Sequence, residues 1–191
     1  MAKQQWKGST LLGPIPPVMV SLGTMEQSNI ITIAWSGIIN SDPPKTYVSV
    51  RPERYSYDIL KEQRELVINL TTVPLAGAAD YCGIRSGRDV DKFARMGLTK
   101  APASKVACPL IEESPLSLEC KVIDIIPLGT HDMFLCDIVA VDVDENLLDA
   151  KGKLHMEKAN LCGYVHGAYY ALGKRIGTFG YSHAKKKKRR K

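Results

Sequence analysis

The 191-residue sequence has no apolar run long enough to span a membrane and no pair of cysteines at Cys-x-x-Cys spacing. Its five cysteines are an odd number and lie far apart, and residues 1–5 are not followed by the apolar core of a secretory signal. These absences argue against a disulfide framework, a membrane anchor and export. We therefore expect a cytoplasmic protein in which the thiols are small core residues.

The sequence also lacks the glycine-rich fingerprints of nucleotide-binding proteins, because neither Gly-x-Gly-x-x-Gly nor a P-loop occurs. Its four histidines show no spacing typical of a metal site, and no Cys/His set matches structural zinc. We expect no metal site. Any nucleotide must be bound by residues outside these motifs.

The basic charge of the chain is concentrated at its end. The formal net charge is +6, but all seven residues of 185–191 are basic, and without them 19 basic and 20 acidic residues remain. A nearly neutral body argues against a nucleic-acid partner. We interpret residues 1–183 as a single domain and residues 184–191 as a disordered basic tail or an expression remnant. Binding of the tail to nucleic acid or to an anionic membrane is the alternative.

Alternating hydrophobic patterns dominate the chain and indicate strands, interrupted by short helical patterns. Strands are predicted over residues 18–24, 29–35, 46–50, 65–71, 116–126 and 133–144, and helices over residues 56–65, 74–81 and 89–96. Residues 159–180 are rich in glycine and tyrosine and are expected to be irregular. Because regular strand–helix alternation is missing, we expect a mainly β fold, an antiparallel Greek-key barrel with peripheral short α-helices.

An anion-binding pocket is indicated where a strand is followed by a helix, at residues 49–60 (SVRPERYSYDIL). A helix N-terminus presents unpaired N–H groups and a partial positive charge. Arg51 and Arg54 can add charge-assisted hydrogen bonds, and Ser56 can either cap the helix or contact the anion itself. The pattern predicts a phosphate-bearing ligand.

Four segments occur in a recognisable order: 29–36 (NIITIAWS), 49–59 (SVRPERYSYDI), 66–70 (LVINL) and 83–93 (GIRSGRDVDKF). Together with 129–134 (GTHDMF) and 169–182 (YYALGKRIGTFGYS), this order resembles the flavin reductase-like family with the FMN-binding split-barrel fold, in particular its flavoredoxin branch. The resemblance covers residues 10–183. It implies a homodimer of split β-barrels, each of which binds one FMN, with FAD as the alternative flavin.

The resemblance also implies which residues contact the flavin phosphate and the polar edge of the ring. Arg51 and Ser56 are the leading phosphate ligands. The implied cofactor-binding set is Asn29, Thr32, Ala34, Trp35, Ser36, Ser49, Val50, Arg51, Arg54, Tyr55, Ser56, Asn69, Cys82, Ser86, Gly87 and Lys92.

Several of these residues have a structural alternative. Trp35 can equally be a core or dimer-interface residue, and Asn69 can contact a flavin carbonyl or close a turn. Cys82 is more simply a buried, inert thiol, and Lys92 an exposed lysine. We expect Asp89 to be the N-cap of the helix that contains Lys92.

His131 is the candidate catalytic residue. It lies where the family often has Gly-Asp-His, but in this sequence Gly129 and Thr130 precede it and Asp132 follows it. Near a flavin, an imidazole can position nicotinamide or supply a proton. The alternative is a loop histidine whose ring is held by backbone groups.

The activity implied by the resemblance is that of an NAD(P)H-dependent flavin oxidoreductase. In this reading, electrons pass from NAD(P)H through FMN to free flavin, ferric iron or a redox partner, and no side chain has to act as a nucleophile. The alternative is a flavoredoxin-type electron carrier, in which FMN exchanges electrons between proteins without reacting directly with NAD(P)H.

Overall fold

The computed structural model describes residues 1–183, and the basic tail predicted over 184–191 lies outside them. The strands are β1 (Val18–Gly23), β2 (Ser28–Ile33), β3 (Ser36–Ser41), β4 (Pro44–Val50), β5 (Glu65–Leu70), β6 (Lys100–Ala101), β7 (Leu110–Ile111), β8 (Leu116–Pro127), β9 (Asp132–Val143), β10 (Cys162–Val165) and β11 (Ala168–Ala171). The α-helices are α1 (Tyr55–Gln63), α2 (Ala76–Ile84) and α3 (Lys92–Met96), with 3₁₀ turns at Glu145–Leu147, Met156–Lys158 and Tyr181–His183.

Seven of the strands form one antiparallel sheet in the order β2-β1-β5-β8-β9-β4-β3. Its two edge strands, β2 and β3, are consecutive in the chain and are joined only by Ala34 and Trp35. Three residue steps span at most about 11 Å, so the sheet must curl until its edges meet at this junction. No ladder between β2 and β3 occurs within the described residues, and the curled sheet therefore has a seam there.

The interior of the curled sheet is apolar. Val48 and Phe134 are fully buried, and Tyr57 of α1 packs edge-on against Phe134 with ring centroids 5.5 Å apart. A second cluster, which includes Met19 and Phe93, lies under α2 and α3. β1 is consequently buried along its whole length, with one face toward each cluster.

The predicted mainly β, antiparallel architecture is confirmed, including the hairpin of β1 and β2. Five strands were not predicted, namely β3, the two-residue strands β6 and β7, and the strands β10 and β11. β3 was missed because its apolar residues Ile38 and Ile39 are adjacent and exposed, so that they do not alternate as a half-buried strand would. Residues 159–180, predicted to be irregular, contain the hairpin of β10 and β11, in which two short strands pair through Tyr164 and Tyr169.

The observed helix ends differ from the sequence predictions in three details. Arg54 is the N-cap of α1, and Ser56 lies inside the first turn instead of capping it. Asp91, not Asp89, caps α3 by accepting a hydrogen bond from the amide of Ala94 at 3.1 Å. α2 begins at Ala76, two residues after Pro74. No helix within residues 1–183 has the length and hydropathy that crossing a membrane requires.

Candidate functional site

Two adjoining cavities lie beside the seam of the sheet. The first, of about 170 Å³, is called the cationic cavity here, and its lining consists of Asn29, Ile31, Glu53, Arg54, Tyr55, Ser56, Cys82, Ile84, Arg85, Ser86, Gly87, Arg88 and Lys92. The second, of about 200 Å³, is the aromatic cavity, lined by Ile31, Thr32, Ile33, Ala34, Trp35, Ser49, Val50, Arg51, Arg54 and His131. Ile31 and Arg54 belong to both, so the two cavities share a wall.

The cationic cavity is built between β2, α1 and the segment that joins α2 to α3. Asn29 of β2 donates from its side-chain amide to the hydroxyl of Ser56 at 2.8 Å, which ties the strand to the first turn of α1. Both side chains are buried. Tyr55 and Ser56, the first two residues of α1, line the cavity, so the N-terminus of this helix lies at its edge.

Lys92 carries a buried positive charge at this site. Its side chain is 4% exposed, and its ammonium donates to the main-chain carbonyls of Ile30 at 2.6 Å and Cys82 at 2.9 Å. Burial lowers the pKa of Lys92 to about 8, although the neighbouring Cys82 opposes this shift. An ammonium has three N–H donors, and the two bonds to carbonyls leave one for a ligand.

The other cations of the cavity are arginines. Arg54 donates from its guanidinium to the carbonyl oxygen of Gly83 at 3.1 Å, which fixes it between the two cavities. The guanidinium of Arg88 lies 5.4 Å from the ring centroid of Tyr55, and Arg85 lines the same cavity. Against these arginines and Lys92 there is a single carboxylate in the lining, that of Glu53, so the cavity favours an anion.

Position 87 requires glycine because the backbone there lies very close to the side chains of Asn29 and Tyr55. A Cβ atom built on Gly87 would be 2.2 Å from Oδ1 of Asn29 and 2.8 Å from Cδ1 of Tyr55. The turn is held by the hydroxyl of Ser86, which accepts from the amide of Arg88 at 3.2 Å. The wall of the cationic cavity therefore has no room for a larger residue at this position.

The aromatic cavity is walled by a stacked pair. The rings of Trp35 and His131 have centroids 4.4 Å apart and are tilted by 39°. Burial lowers the pKa of His131, and Arg51 adds to the shift, so the imidazole is neutral at pH 7. Its Nδ1 lies 3.0 Å from Oγ1 of Thr130, and this contact fixes the orientation of the ring.

The backbone of the β2–β3 junction faces the same cavity. The amide of Ser49 donates to the carbonyl of Trp35 at 2.9 Å, which holds the junction against β4. The Thr32 hydroxyl donates to the carbonyl of Ala79, so its proton is already used and only its lone pairs remain for a ligand. The hydroxyl of Tyr57 donates to Asp132 at 2.5 Å and thereby ties α1 to the residue that follows His131.

All the sequence-predicted site residues except Ser36 and Asn69 line one of these two cavities. Ser36 lies at the start of β3, outside both linings. Asn69 is fully buried and lines neither; its amide group donates to the carbonyl of Met19 and the hydroxyl of Ser21, both at 3.0 Å. Its carbonyl accepts from the amide of Ile111 at 3.0 Å, so the structure places Asn69 in the packing of the sheet.

The structure shows the burial of two cavity residues, Lys92 and Cys82, for which the sequence left alternatives. Lys92 is buried, not exposed. Cys82 lines the cavity but is 1% exposed, and burial raises the pKa of its thiol to about 11, so it is protonated and unreactive near neutral pH. Arg85 and Arg88 were not assigned from the sequence, although both flank the Ser86–Gly87 turn and that proximity could have identified them.

A family model described as "Flavin reductase like domain" matches residues 14–173 of the sequence. The chain belongs to this family. The match includes every residue of both cavities, so the candidate site lies entirely within the flavin reductase-like domain.

Solved structures and named relatives agree with this membership. The chain is similar to flavoredoxin of Desulfovibrio vulgaris (Miyazaki F), with 33% identity, a TM-score of 0.85, and coverage of 93% of this chain and 97% of the other. It is similar in fold to an FMN-binding protein from Thermus thermophilus, with 23% identity, a TM-score of 0.76, and coverage of 93% and 99%. An NADPH-flavin oxidoreductase of Streptomyces viridifaciens is 23% identical over 85% of this chain and 79% of its own length.

Proposed function

We propose that this flavin reductase-like protein binds FMN, with the phosphate in the cationic cavity and the isoalloxazine ring in the aromatic cavity. The observation that carries the proposal is that the two cavities adjoin and share Arg54 and Ile31. A ligand with an anionic end and a planar end can therefore occupy both at once. We further propose that the curled, seamed sheet is the split barrel of this family, within a single domain over residues 1–183.

The residues present fit the phosphate of FMN. Arg54, Arg85, Arg88 and Lys92 supply positive charge, and Ser56 lies beside the N–H groups of the first turn of α1. Gly87 lets the backbone pack closely against Asn29 and Tyr55, which sets the shape of the cavity wall. A phosphate is bound through charge-assisted hydrogen bonds of this kind, most strongly where the donors are fixed before binding.

The residues of the aromatic cavity fit the ring. Trp35 and His131 supply aromatic surface, and the backbone of Ala34 and Trp35 lies in the same lining, where it can meet the polar edge of a flavin. Backbone N–H groups at that edge, together with Arg51, would stabilise negative charge electrostatically.

We propose NAD(P)H-dependent oxidoreductase activity for the complex. When bound, FMN supplies hydride and electron-transfer chemistry between a reduced pyridine nucleotide and free flavin, ferric iron or a redox partner. The chain's own contribution is to bind the phosphate, hold the ring against the Trp35–His131 wall and place a neutral imidazole at the cavity edge. The name of the Streptomyces viridifaciens relative, an NADPH-flavin oxidoreductase, supports this activity.

A second candidate function is an FMN electron carrier that does not react directly with NAD(P)H. It is favoured by the similarity to flavoredoxin of Desulfovibrio vulgaris (Miyazaki F), which extends over almost the whole of both chains. The carrier and the reductase use the same two cavities. They differ in whether pyridine nucleotide reduces the bound flavin.

The deciding experiment is an absorption spectrum of the purified, FMN-loaded protein, recorded anaerobically before and after addition of NADH or NADPH. Flavin bands near ~375 and ~450 nm that bleach rapidly with one nucleotide support the reductase and identify the donor. Bands that persist with both nucleotides favour the carrier. Protein that does not bind added FMN rules out both.

We also propose that the protein is a cytoplasmic homodimer. Ile38, Ile123 and Val141 are exposed apolar residues on strands β3, β8 and β9, and burial between two copies removes such surface from water. All five cysteines are unpaired and buried, as expected in a reducing compartment. Light scattering of the purified protein measures the oligomeric state directly.

A further inference from the structure

Two carboxyl side chains lie close together on one face of the main sheet, in strands β8 and β9. Glu119 of β8 lies opposite Ala140 of β9, and Asp142 of β9 lies opposite Ser117 of β8. Because side chains two residues apart in a strand share a face, Glu119 and Asp142 are diagonal neighbours. Glu119 is fully buried, and so is one carboxyl oxygen of Asp142, Oδ2. Neither residue lines the cationic or the aromatic cavity.

Glu119 is held as a carboxylate by the segment between β6 and β7. Its Oε1 accepts hydrogen bonds from the amide and the hydroxyl of Ser104, both at 2.8 Å. Its Oε2 accepts from the amides of Lys105 at 2.6 Å and Val106 at 3.1 Å. Burial opposes ionisation, but these donors outweigh burial and hold the pKa of Glu119 below its ordinary value. We call residues 104–106, which these bonds attach to β8, the latch segment.

Asp142 has no comparable set of donors. Its buried Oδ2 has no hydrogen-bond partner among the groups of residues 1–183. The group that faces Asp142 is the carboxylate of Glu119, which can only accept. Burial and the charge of Glu119 both raise the pKa of Asp142 above its ordinary value. A bare carboxylate oxygen is unfavourable in such a position, whereas the same oxygen becomes a donor to Glu119 when it carries a proton.

The other charged groups near the pair do not neutralise Asp142. Glu65 of the adjoining strand β5 forms an ion pair with Lys121 at 3.4 Å. Lys105 of the latch segment contributes its amide to Glu119, and Asp144, two residues beyond Asp142, caps the 3₁₀ turn that follows β9. No lysine, arginine or histidine in the described part of the chain forms an ion pair with Asp142. A proton is therefore the group that can stabilise its buried oxygen.

We propose that Asp142 retains a proton on Oδ2 and donates it to Glu119, so that the two acids share one proton and the latch segment is attached to β9 as well as to β8. Loss of this proton places two negative charges side by side on a buried face, and their repulsion loosens the latch segment. Since the folded pKa of Asp142 is raised, its contribution to stability is complete below the unfolded pKa of about 3.9 and is lost as the pH rises through the folded pKa. The pair is thus a latch that opens with alkali, and it does not depend on the proposed function.

The direct test is an NMR titration of the carboxyl carbon of Asp142 in the full-length protein. We expect its midpoint above the ordinary value in wild type and closer to that value in Glu119→Gln, whose side chain carries no charge. Amide hydrogen exchange reports the latch itself. The protection factors of Lys105 and Val106 should fall by about tenfold or more as the pH rises through the Asp142 midpoint. The amide of Ile111, which donates to Asn69, should keep its protection within about twofold.

Two substitutions separate the donor from the charge. Asp142→Asn keeps an N–H donor toward Glu119 at every pH, so the protection of Lys105 and Val106 should no longer depend on pH beyond the intrinsic exchange rate. Asp142→Leu removes both the charge and the donor, and it should protect these amides less than Asp142→Asn at every pH. Asp124→Asn, at an exposed position of β8, is the matched control and should follow wild type.

Three results would overturn the inference. The first is a titration midpoint of Asp142 at or below its ordinary value, which would mean that the residue is ionised beside Glu119. The second is protection of Lys105 and Val106 in wild type that does not change through the Asp142 midpoint. The third is equal protection in Asp142→Asn and Asp142→Leu, which would show that no hydrogen bond is donated to Glu119.

Discussion

The ammonium of Lys92 donates to the carbonyl oxygen of Ile30 at 2.6 Å, in a position where the lysine is almost completely buried. A buried charge of this kind is retained at a cost in solvation, which the two carbonyl partners only partly offset. The burial that lowers the pKa of Lys92 to about 8 also places its remaining donor in the cationic cavity. This arrangement predicts that ligand binding and protonation are linked.

FMN affinity should decrease as the pH rises above 8, because the free protein then loses the Lys92 proton that the bound phosphate requires. The slope should approach tenfold per pH unit between about pH 8 and pH 10, with uptake of a proton on binding. Cys82, with a pKa raised to about 11, does not titrate in most of this window, and the phosphate is already a dianion. Calorimetry in buffers of different ionisation enthalpy measures the proton uptake.

Lys92→Met should bind FMN more weakly at pH 7 by about tenfold or more and should lose this pH dependence. Lys61→Met, an exposed lysine of α1 outside both cavities, is the control and should behave as wild type. Equal pH slopes in wild type and Lys92→Met would show that another group is responsible.

Gly87→Ala should weaken FMN binding strongly. The new methyl group would lie 2.2 Å from the Asn29 side chain, so Asn29 and Tyr55 must move and the wall of the cationic cavity must shift. Gly77→Ala is the matched control, since a Cβ at this position in α2 meets nothing within 4 Å and should raise the free energy of unfolding by about 0.5 kcal/mol. Fluorescence titration and thermal unfolding of both variants separate binding from stability. Unaltered FMN affinity in Gly87→Ala would contradict the assigned phosphate position.

Most of the candidate site was indicated by the resemblance to the flavin reductase-like family, and only one part of it by local chemistry. Arg54 and Ser56 flank a strand–helix boundary, and the chemistry of a helix N-terminus indicates an anion at such a boundary without knowledge of the tertiary fold. Arg51, predicted with Ser56 as a leading phosphate ligand, lines the aromatic cavity instead. The end of α3 is also local, because Gly97 follows the last helical residue and closes the helix with a φ of 63°.

The features that the sequence did not predict depend on long-range packing, about which a local hydrophobic pattern carries no information. The burial of Lys92 arises because α3 packs against β2, 62 residues away in the chain at Ile30. The structural role of Asn69 also depends on long-range contacts, because its hydrogen-bond partners come from β1, β7 and β8. Only the folded sheet shows that its side chain has no hydrogen-bonding group left for a ligand. The β10–β11 hairpin is stabilised by the Tyr164–Tyr169 contact and by a bridge between Tyr164 and Ile15, which local composition does not indicate.

Asn69→Ala should destabilise the protein without affecting the flavin site. The substitution leaves the amide of Ile111 and the hydroxyl of Ser117 without their buried acceptor, which should lower the free energy of unfolding by about 3 kcal/mol. Chemical denaturation measures the loss, and fluorescence titration of the folded protein should give FMN affinity within about twofold of wild type. A large loss of FMN affinity at unchanged stability would return Asn69 to the binding site.

Glu119 should control acid stability. Burial opposes its ionisation, but hydrogen bonds from the backbone and side chain of Ser104 and from the amide of Lys105 outweigh burial and hold the pKa of Glu119 below its ordinary value. A carboxyl with a lowered pKa stabilises the fold above its unfolded pKa, and this contribution is lost as the pH falls through the folded pKa. We therefore expect stability to decrease below about pH 4.5.

Glu119→Gln should lower the free energy of unfolding by about 2–4 kcal/mol at pH 7, because an amide cannot accept all of these bonds. It should also flatten the acid limb of the stability curve. Glu112→Gln, an exposed neighbour, should do neither. Denaturant unfolding between pH 3 and pH 7 is the measurement, and parallel acid limbs in Glu119→Gln and wild type would count against the role of Glu119.

His131→Ala should slow the reduction of bound flavin by NAD(P)H while leaving the flavin bound. The ring of His131 stacks on Trp35 at the cavity edge, and Thr130 contacts its Nδ1, which leaves Nε2 to hold or accept a proton at the ligand. Loss of a group with this function costs about a hundredfold in rate, and His131→Gln should recover part of it through its amide N–H. Since burial lowers the pKa of His131 below 6.5, the wild-type rate should be flat from pH 7 to pH 8 and change only as the pH falls through that lowered value.

His155→Ala, whose imidazole is paired with Asp149 and Glu157 outside the cavities, is the control for loss of a histidine. Anaerobic stopped-flow absorption measures the rate, and a normal rate in His131→Ala would reduce His131 to a packing partner of Trp35.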